Sequence, residues 1–134
     1  MLVDVPSILI TDDDHAFRET VRTMLEPRGF HTLTAADGEE AIKIVGAQAI
    51  HLLLLDMHMP RLTGLETARR IRQINSRLPC VLVSGALDAS IIEQARSADI
   101  FSVLAKPVSR IDLTRTVDQV LSRVYGWPSG GKAG

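Results

Sequence analysis

Three carboxylates, one hydroxyl and one ammonium group stand in this sequence where they could do chemistry together. Each ends or directly follows a short apolar segment of strand length. They are Asp12 and Asp13 after Ser7–Thr11, Asp56 at the end of His51–Asp56, Ser84 at the end of Cys80–Ser84, and Lys106 after Phe101–Ala105. Carboxylates that share one pocket repel each other unless a cation lies among them. A small set of oxygen ligands favours Mg²⁺ over Ca²⁺, so the residue types indicate a magnesium site.

Each of these residues also has an ordinary structural explanation when it is taken alone. An Asp after a strand commonly forms a turn or caps a helix, and we interpret Asp14 as such a cap. Lys106 stands before a proline and says nothing by itself. The combination is more specific, because chance would rarely place acid, acid, hydroxyl and ammonium at successive segment ends.

The stretches between the apolar segments predict helices that alternate with strands. Phe17, Val21, Met24 and Leu25 are spaced to share one helical face within Asp14–Arg28. A weaker strand is predicted at His31–Thr34, and capping boxes are predicted at Asp37–Glu40, Thr63–Glu66 and Ser109–Asp112. Strands and helices in alternation are typical of an α/β fold with a parallel sheet. Ligands of such sheets bind beyond the carboxyl ends of the strands, where the polar residues lie.

Over about Pro6–Tyr125 the chain resembles the receiver domain of two-component response regulators. The motifs that carry the resemblance are ILITDDD (8–14), LLLLDMHMPRLTG (52–64), VLVSGA (81–86) and LAKPV (104–108). The resemblance implies an α/β, flavodoxin-like (βα)5 three-layer sandwich with parallel strand order 2-1-3-4-5. This fold agrees with the alternation of strands and helices.

The resemblance also implies a role for each polar position. Asp56 matches the phosphoacceptor, which takes a phosphoryl group from a phosphohistidine of a sensor histidine kinase or a phosphotransfer protein. Asp13, Asp56 and the backbone carbonyl of His58 match the ligands of Mg²⁺, and Asp12 matches a residue that acts through water. Ser84 and Lys106 match the hydroxyl and the cation that bind the phosphoryl group after transfer.

Further features follow from the same resemblance. The Lys106–Pro107 bond is usually cis in this family, and Gly64 matches the glycine after the phosphorylation loop. The fourth helix, fifth strand and fifth helix form the surface expected to change and to contact a downstream target or output domain. The resemblance does not decide whether phosphorylation produces a dimer.

Two positions depart from the family or leave alternatives. The aromatic residue usual three positions before the lysine is Val103 here, and Phe101 is either a shifted switch residue or, as we prefer, plain core. The His58 side chain either influences dephosphorylation or faces solvent without a role.

Two other function classes compete with a signalling switch. A Mg²⁺-dependent aspartyl-phosphate phosphohydrolase would want Asp-x-Asp, whereas His58 stands two residues after Asp56. A pseudo-receiver, acting only as a binding module, would lack the acid pair, Asp56 or Lys106. We therefore expect a phosphoacceptor switch that assists its own phosphorylation and dephosphorylation but is not a turnover enzyme.

Composition limits the remaining possibilities. The chain has 134 residues, a formal net charge of −1 and one cysteine, which excludes an intrachain disulfide and predicts no general attraction to nucleic acid or to membranes. We expect one domain over residues 1–125 and a flexible tail over residues 126–134. The start lacks signal-peptide character, so the predicted location is cytoplasmic.

Overall fold

The computed structural model describes residues 5–128 of the chain. Strands and helices alternate throughout this range. The strands are β1 (Ser7–Thr11), β2 (His31–Ala35), β3 (Leu52–Asp56), β4 (Cys80–Ser84) and β5 (Ser102–Ala105). The helices are α1 (His15–Leu25), α2 (Gly38–Ala47), α3 (Gly64–Ile74), α4 (Ala89–Ser97) and α5 (Arg110–Tyr125), and a 3₁₀ turn at Glu26–Arg28 follows α1.

The five strands form one parallel sheet in the order β2-β1-β3-β4-β5. The central strands β3 and β4 are buried along their whole length. This explains their continuously apolar sequence, since helices cover both faces of the sheet. The predicted flavodoxin-like fold and its strand order are confirmed.

Alternate residues of each strand pack into two separate cores, one on either face of the sheet. In β3, Leu52 and Leu54 join the core that is completed by α1 and α5. Leu53 and Leu55 join the core that is completed by α2, α3 and α4. The molecule is therefore a three-layer sandwich, as the period of two along a strand requires.

The predicted capping residues all cap their helices, but only one pair forms a reciprocal box. Thr63 and Glu66 exchange side-chain and backbone hydrogen bonds at the start of α3. At α2 the Asp37 carboxylate accepts from the Glu40 amide, whereas the Glu40 carboxylate accepts from the amide of Ala36. Local backbone geometry therefore decides which amide the glutamate side chain in the first turn of the helix reaches.

Helix and strand ends differ slightly from the prediction. The helix predicted over Asp14–Arg28 ends at Leu25 and continues as the 3₁₀ turn that contains Pro27. Proline lacks the amide hydrogen that a continuing α-helix would use. Strands β3 and β5 each begin one residue later than predicted, although the amides of His51 and Phe101 still donate to neighbouring strand ends.

The single cysteine and the end of the described chain are both packed against the core. Burial raises the pKa of the Cys80 thiol to about 12, as expected for a small apolar core residue. Trp127 lies 6.1 Å from Phe30 between ring centroids, and its amide donates to Leu121. Residues 129–134 of the predicted tail lie outside the described residues, and the domain boundary at residue 125 stays a prediction.

No helix within residues 5–128 is long and apolar enough to cross a membrane.

Candidate functional site

The site residues meet because four parallel strands end at the same edge of the sheet. Thr11 pairs with Leu55, so Asp12 and Asp56 follow side by side on β1 and β3. Asp56 pairs in turn with Val83, which places Ser84 one residue further along β4. The structure thus brings together residues that are far apart in the chain.

Three carboxylates form the centre of the site. One oxygen from each of Asp12, Asp13 and Asp56 lies within 4.8 Å of the others. Asp12 is 1% exposed and Asp56 is 5% exposed, whereas Asp13 is open to solvent. Two carboxylates are thus held out of water while the third keeps an access path from solvent.

Lys106 provides the positive charge at this cluster. Its Nζ atom lies 2.8 Å from Asp12 Oδ2 and 3.3 Å from Asp56 Oδ1. Burial by itself would lower the pKa of Lys106, but the hydrogen bond and charge of Asp12, together with the charge of Asp56, outweigh burial and raise it. Three carboxylates and one ammonium leave a formal local charge of −2, which one divalent cation would balance.

The surroundings of Asp56 disfavour ionisation of its side chain. Burial raises the pKa of Asp56, and the neighbouring charge of Asp12 raises it further. Lys106 and the donating amide of His58 act in the opposite direction but do not cancel that shift. An added cation would favour the ionised carboxylate, because it reverses the repulsion from Asp12.

Asp12 is fixed from several sides. Its Oδ1 atom accepts from the amide of Asp14 at 2.9 Å, and its backbone carbonyl accepts from the guanidinium of Arg18 at 2.7 Å. Asp14 is the N-cap of α1, as predicted, and accepts from the amides of Ala16 and Phe17. The contact of Arg18 was not predicted, because nothing in its spacing points to a backbone carbonyl.

Ser84 and Lys106 are linked through the backbone of their two strands. The Lys106 amide donates to the Ser84 carbonyl at 2.9 Å. The Ser84 hydroxyl oxygen is buried and accepts from the amide of Ala86 at 3.1 Å, so its hydrogen is left to donate elsewhere. The Lys106–Pro107 peptide bond is cis, as the resemblance implies.

Gly64 is required by a close approach of two backbones. A Cβ atom at this position would collide with the carbonyl oxygen of Asp56 and would lie 3.0 Å from a methyl group of Leu82. The Gly64 amide also donates to the Met57 carbonyl at 2.9 Å. The start of α3 therefore closes tightly over the loop that follows Asp56.

Phe101 and Val103, the residue at the usual aromatic position, have different surroundings. Phe101 packs at the edge of the core on the α1 and α5 side, with the guanidinium of Arg123 5.8 Å from its ring centroid. Val103 packs on the opposite side of the sheet, beside the core formed with α2, α3 and α4. Phe101 thus lies on the other side of the sheet from the usual aromatic position, which agrees with its preferred interpretation as core. The His58 side chain is exposed.

This fold and site define a flavodoxin-like α/β domain with an acidic pocket at the carboxyl edge of its sheet. The family model of the response regulator receiver domain matches residues 8–118. The chain belongs to this family, and it is therefore a receiver domain of two-component signalling.

Individual relatives give the same result. The chain is 36% identical over 118 residues to response regulator MprA of Mycolicibacterium vanbaalenii, covering 87% of this chain and 50% of that protein. It is 31% identical over 118 residues to the Regulator of RpoS of Escherichia coli K12, covering 88% of this chain and 34% of that protein. The chain thus spans half or less of the length of these two relatives.

Solved structures share the whole domain. A response regulator receiver protein from Pseudomonas putida superposes with a TM-score of 0.82 at 28% identity, covering 88% of this chain and 99% of that one. The chemotaxis protein CheY4 of Vibrio cholerae has a TM-score of 0.83 at 24% identity, covering 87% and 99%. The fold seen here is accordingly that of other receiver domains.

Proposed function

We propose that Asp56 is the phosphoacceptor of a two-component phosphorelay. The observation that carries the proposal is the meeting of the Asp12, Asp13 and Asp56 carboxylates within 4.8 Å, with Lys106 forming ion pairs with Asp12 and Asp56. Negative charges this close together at the carboxyl ends of the strands destabilise the fold unless a bound cation balances them.

The donor set fits Mg²⁺. All three side chains offer oxygen, the exposed Asp13 leaves an entry path, and a formal charge of −2 remains after Lys106 is counted. Asp13, Asp56 and the carbonyl of His58 would hold the ion, with Asp12 acting through water. Bound there, Mg²⁺ neutralises oxygens of a phosphoryl group.

The transfer step needs little from the protein beyond position and charge. One carboxylate oxygen of Asp56 bonds to phosphorus while the bond between phosphorus and the donor histidine nitrogen breaks, and that nitrogen keeps the electron pair. Lys106 is close enough to follow the new negative charge, because its Nζ atom already lies 3.3 Å from Asp56. Placing charged groups in advance is the main source of catalysis in such reactions.

After transfer, the Ser84 hydroxyl and the Lys106 ammonium would bind the phosphoryl oxygens. Since the Ser84 oxygen now accepts from the Ala86 amide, its movement would carry the loop before α4. The surface of α4, β5 and α5 would then change and signal to a downstream protein or output domain, or form a dimer. This role implies a sensor histidine kinase or phosphotransfer protein as donor and a cytoplasmic location.

The two competing functions lack comparable support. A phosphohydrolase would need an acid or base beside the attacked phosphorus, and the nearest candidate by sequence, His58, has an exposed side chain. A pseudo-receiver would have no reason to retain Lys106 between two buried carboxylates. We therefore favour a phosphoacceptor that modulates its own phosphorylation over a turnover enzyme.

The proposal is tested by incubating the protein with acetyl phosphate and Mg²⁺ and measuring the adduct by mass spectrometry. Wild type and the control Asp99→Asn, on an exposed turn, should gain one hydroxylamine-labile phosphoryl group. Asp56→Asn should gain none. Lys106→Ala should still be phosphorylated but should lose the amide chemical-shift changes on α4 and β5. An adduct that persists in Asp56→Asn would show that the phosphoacceptor is misassigned.

A further inference from the structure

The ring of Phe17 lies against the ammonium group of Lys106. The Nζ atom is 4.3 Å from the ring centroid, while it also contacts Asp12 at 2.8 Å and Asp56 at 3.3 Å. Asp12 accepts a hydrogen bond from the ammonium group, Asp56 forms an ion pair with it, and the ring of Phe17 provides a third contact. The face of a benzene ring attracts a cation, which makes this contact favourable as well as close.

Phe17 is held in place by the same carboxylate that binds the lysine. Asp12 accepts from the amide of Asp14, and Asp14 in turn caps α1 through the amides of Ala16 and Phe17. The ring therefore projects from the first turn of a helix whose start is tied to the acidic cluster. Lysine and ring are thus positioned relative to one common residue.

Phe17 also borders two spaces near the phosphoacceptor. On its inner side lies a cavity of about 10 Å³, which Asp56 borders. On its outer side lies an open groove of about 360 Å³ that Lys106 borders. The inner space is at most large enough for one water molecule, and its other walls are mainly apolar. Phe17 and Val108 border both spaces, so the ring contacts the buried cavity as well as the open groove beside Lys106.

We propose that Phe17 is a positioning residue for Lys106. Its ring keeps the ammonium group between Asp12 and Asp56. The lysine therefore stands ready to bind the phosphoryl group on Asp56. This inference rests on the proposed phosphoacceptor function, and Phe17 acts only through the lysine.

The contact itself is tested in the metal-free protein by NMR. The ε-methylene protons of Lys106 should be shifted upfield by the ring in wild type and in Phe17→Tyr, which keeps the ring. They should return to ordinary values in Phe17→Leu, which keeps most of the volume. Val21→Ala is the matched control, because Val21 lies one turn further along α1 and borders only the inner cavity. An unshifted wild-type signal would overturn the inference.

The functional consequence is tested with beryllofluoride, a mimic of the phosphoryl group, in the presence of Mg²⁺. Phe17→Leu should weaken its binding by about three- to fivefold, the size expected of one partly exposed cation–π contact. Phe17→Tyr and Val21→Ala should bind as wild type does. In a Lys106→Ala background, Phe17→Leu should cause no further weakening, because a positioning residue needs the group that it positions.

The outcomes separate this inference from the proposed function. If wild type binds beryllofluoride but Phe17→Leu binds equally well, or weakens binding equally without Lys106, the role of Phe17 is refuted and the phosphoacceptor stands. If wild type fails to bind beryllofluoride and is not phosphorylated at Asp56, the proposed function fails. The NMR signal of Lys106 then decides alone whether the ring holds the lysine.

Discussion

The two ends of the parallel sheet carry polar groups of opposite character. At the carboxyl end, three carboxylates share one ammonium group, and two of them are buried. At the amino end, Ser7, His51 and Tyr125 form a neutral hydrogen-bonded group. His51 Nδ1 accepts from the amide of Ser7 at 2.9 Å, and the Tyr125 hydroxyl donates to the His51 carbonyl at 2.7 Å.

This difference distinguishes a functional site from hydrogen bonds that only support the fold. Neutral hydrogen-bonded groups cost little to bury and stabilise the fold. Like charges brought together destabilise it, and they are typical of places that bind or react. Removing a buried negative charge at the carboxyl end should therefore alter function and even raise stability, whereas removing a hydrogen bond at the amino end should lower stability alone.

The largest effect is expected where the loop after Asp56 closes against α3. Gly64→Ala should lower the free energy of unfolding by about 2–3 kcal/mol, because its Cβ would collide with the Asp56 carbonyl. Gly46→Ala is the control, since a Cβ there meets nothing within 4 Å, and it should stabilise α2 by about 0.5–1 kcal/mol. Urea unfolding measures both. Equal effects of the two substitutions would contradict the close approach at Gly64.

A smaller effect of opposite sign is expected at the phosphoacceptor. Asp56→Asn should raise the free energy of unfolding without metal by about 1–2 kcal/mol, because it removes a buried charge beside Asp12. The exposed Asp99→Asn should change it by less than about 0.5 kcal/mol. Mg²⁺ should stabilise wild type more than Asp56→Asn, because an ion that binds the folded state stabilises it and the substitution removes one carboxylate ligand. A destabilised Asp56→Asn would mean that the pairing with Lys106 outweighs repulsion.

At the amino end, Tyr125→Phe should cost about 1 kcal/mol of stability through the lost hydrogen bond to His51. Its rate of phosphorylation by acetyl phosphate should equal that of wild type. The neighbouring Val124→Ala, at a half-exposed position, should change stability by less than about 0.5 kcal/mol. A slower phosphorylation of Tyr125→Phe would show that the two ends are coupled and would break the comparison.

The smallest effect is a dependence of stability on pH that arises at His51. Burial lowers the pKa of His51 below its ordinary value of 6.5, so the folded protein binds this proton less readily than the unfolded chain. The contribution of neutral, buried His51 to the stability of the fold is therefore complete above pH 6.5. It is lost as the pH falls below that value toward the pKa of the folded state. Relative to its own stability at about pH 7.5, wild type should lose more by about pH 5.5 than His51→Gln does. The exposed His15→Gln should follow wild type, and identical pH profiles for all three would refute the prediction.

Much of this protein could be read from local patterns. The alternation of short apolar segments with helical stripes determined the fold class, because strand and helix periods are properties of neighbouring residues. The polar residues at the segment ends, together with their family motifs, identified Asp12, Asp13, Asp56, Ser84 and Lys106 as one group. Their convergence follows from a single rule, that parallel strands end at a common edge.

Other features could be decided only by the tertiary structure. Nothing in the spacing of residues 17 and 106 brings the Phe17 ring to the Lys106 ammonium group; that contact depends on how α1 and the residue after β5 are placed at the carboxyl edge of the sheet. Likewise, the position of Phe101 on the α1 and α5 side depends on where β5 begins. Such contacts depend on strand order, register and helix docking, which arise from the packing of the whole chain and leave no local signal.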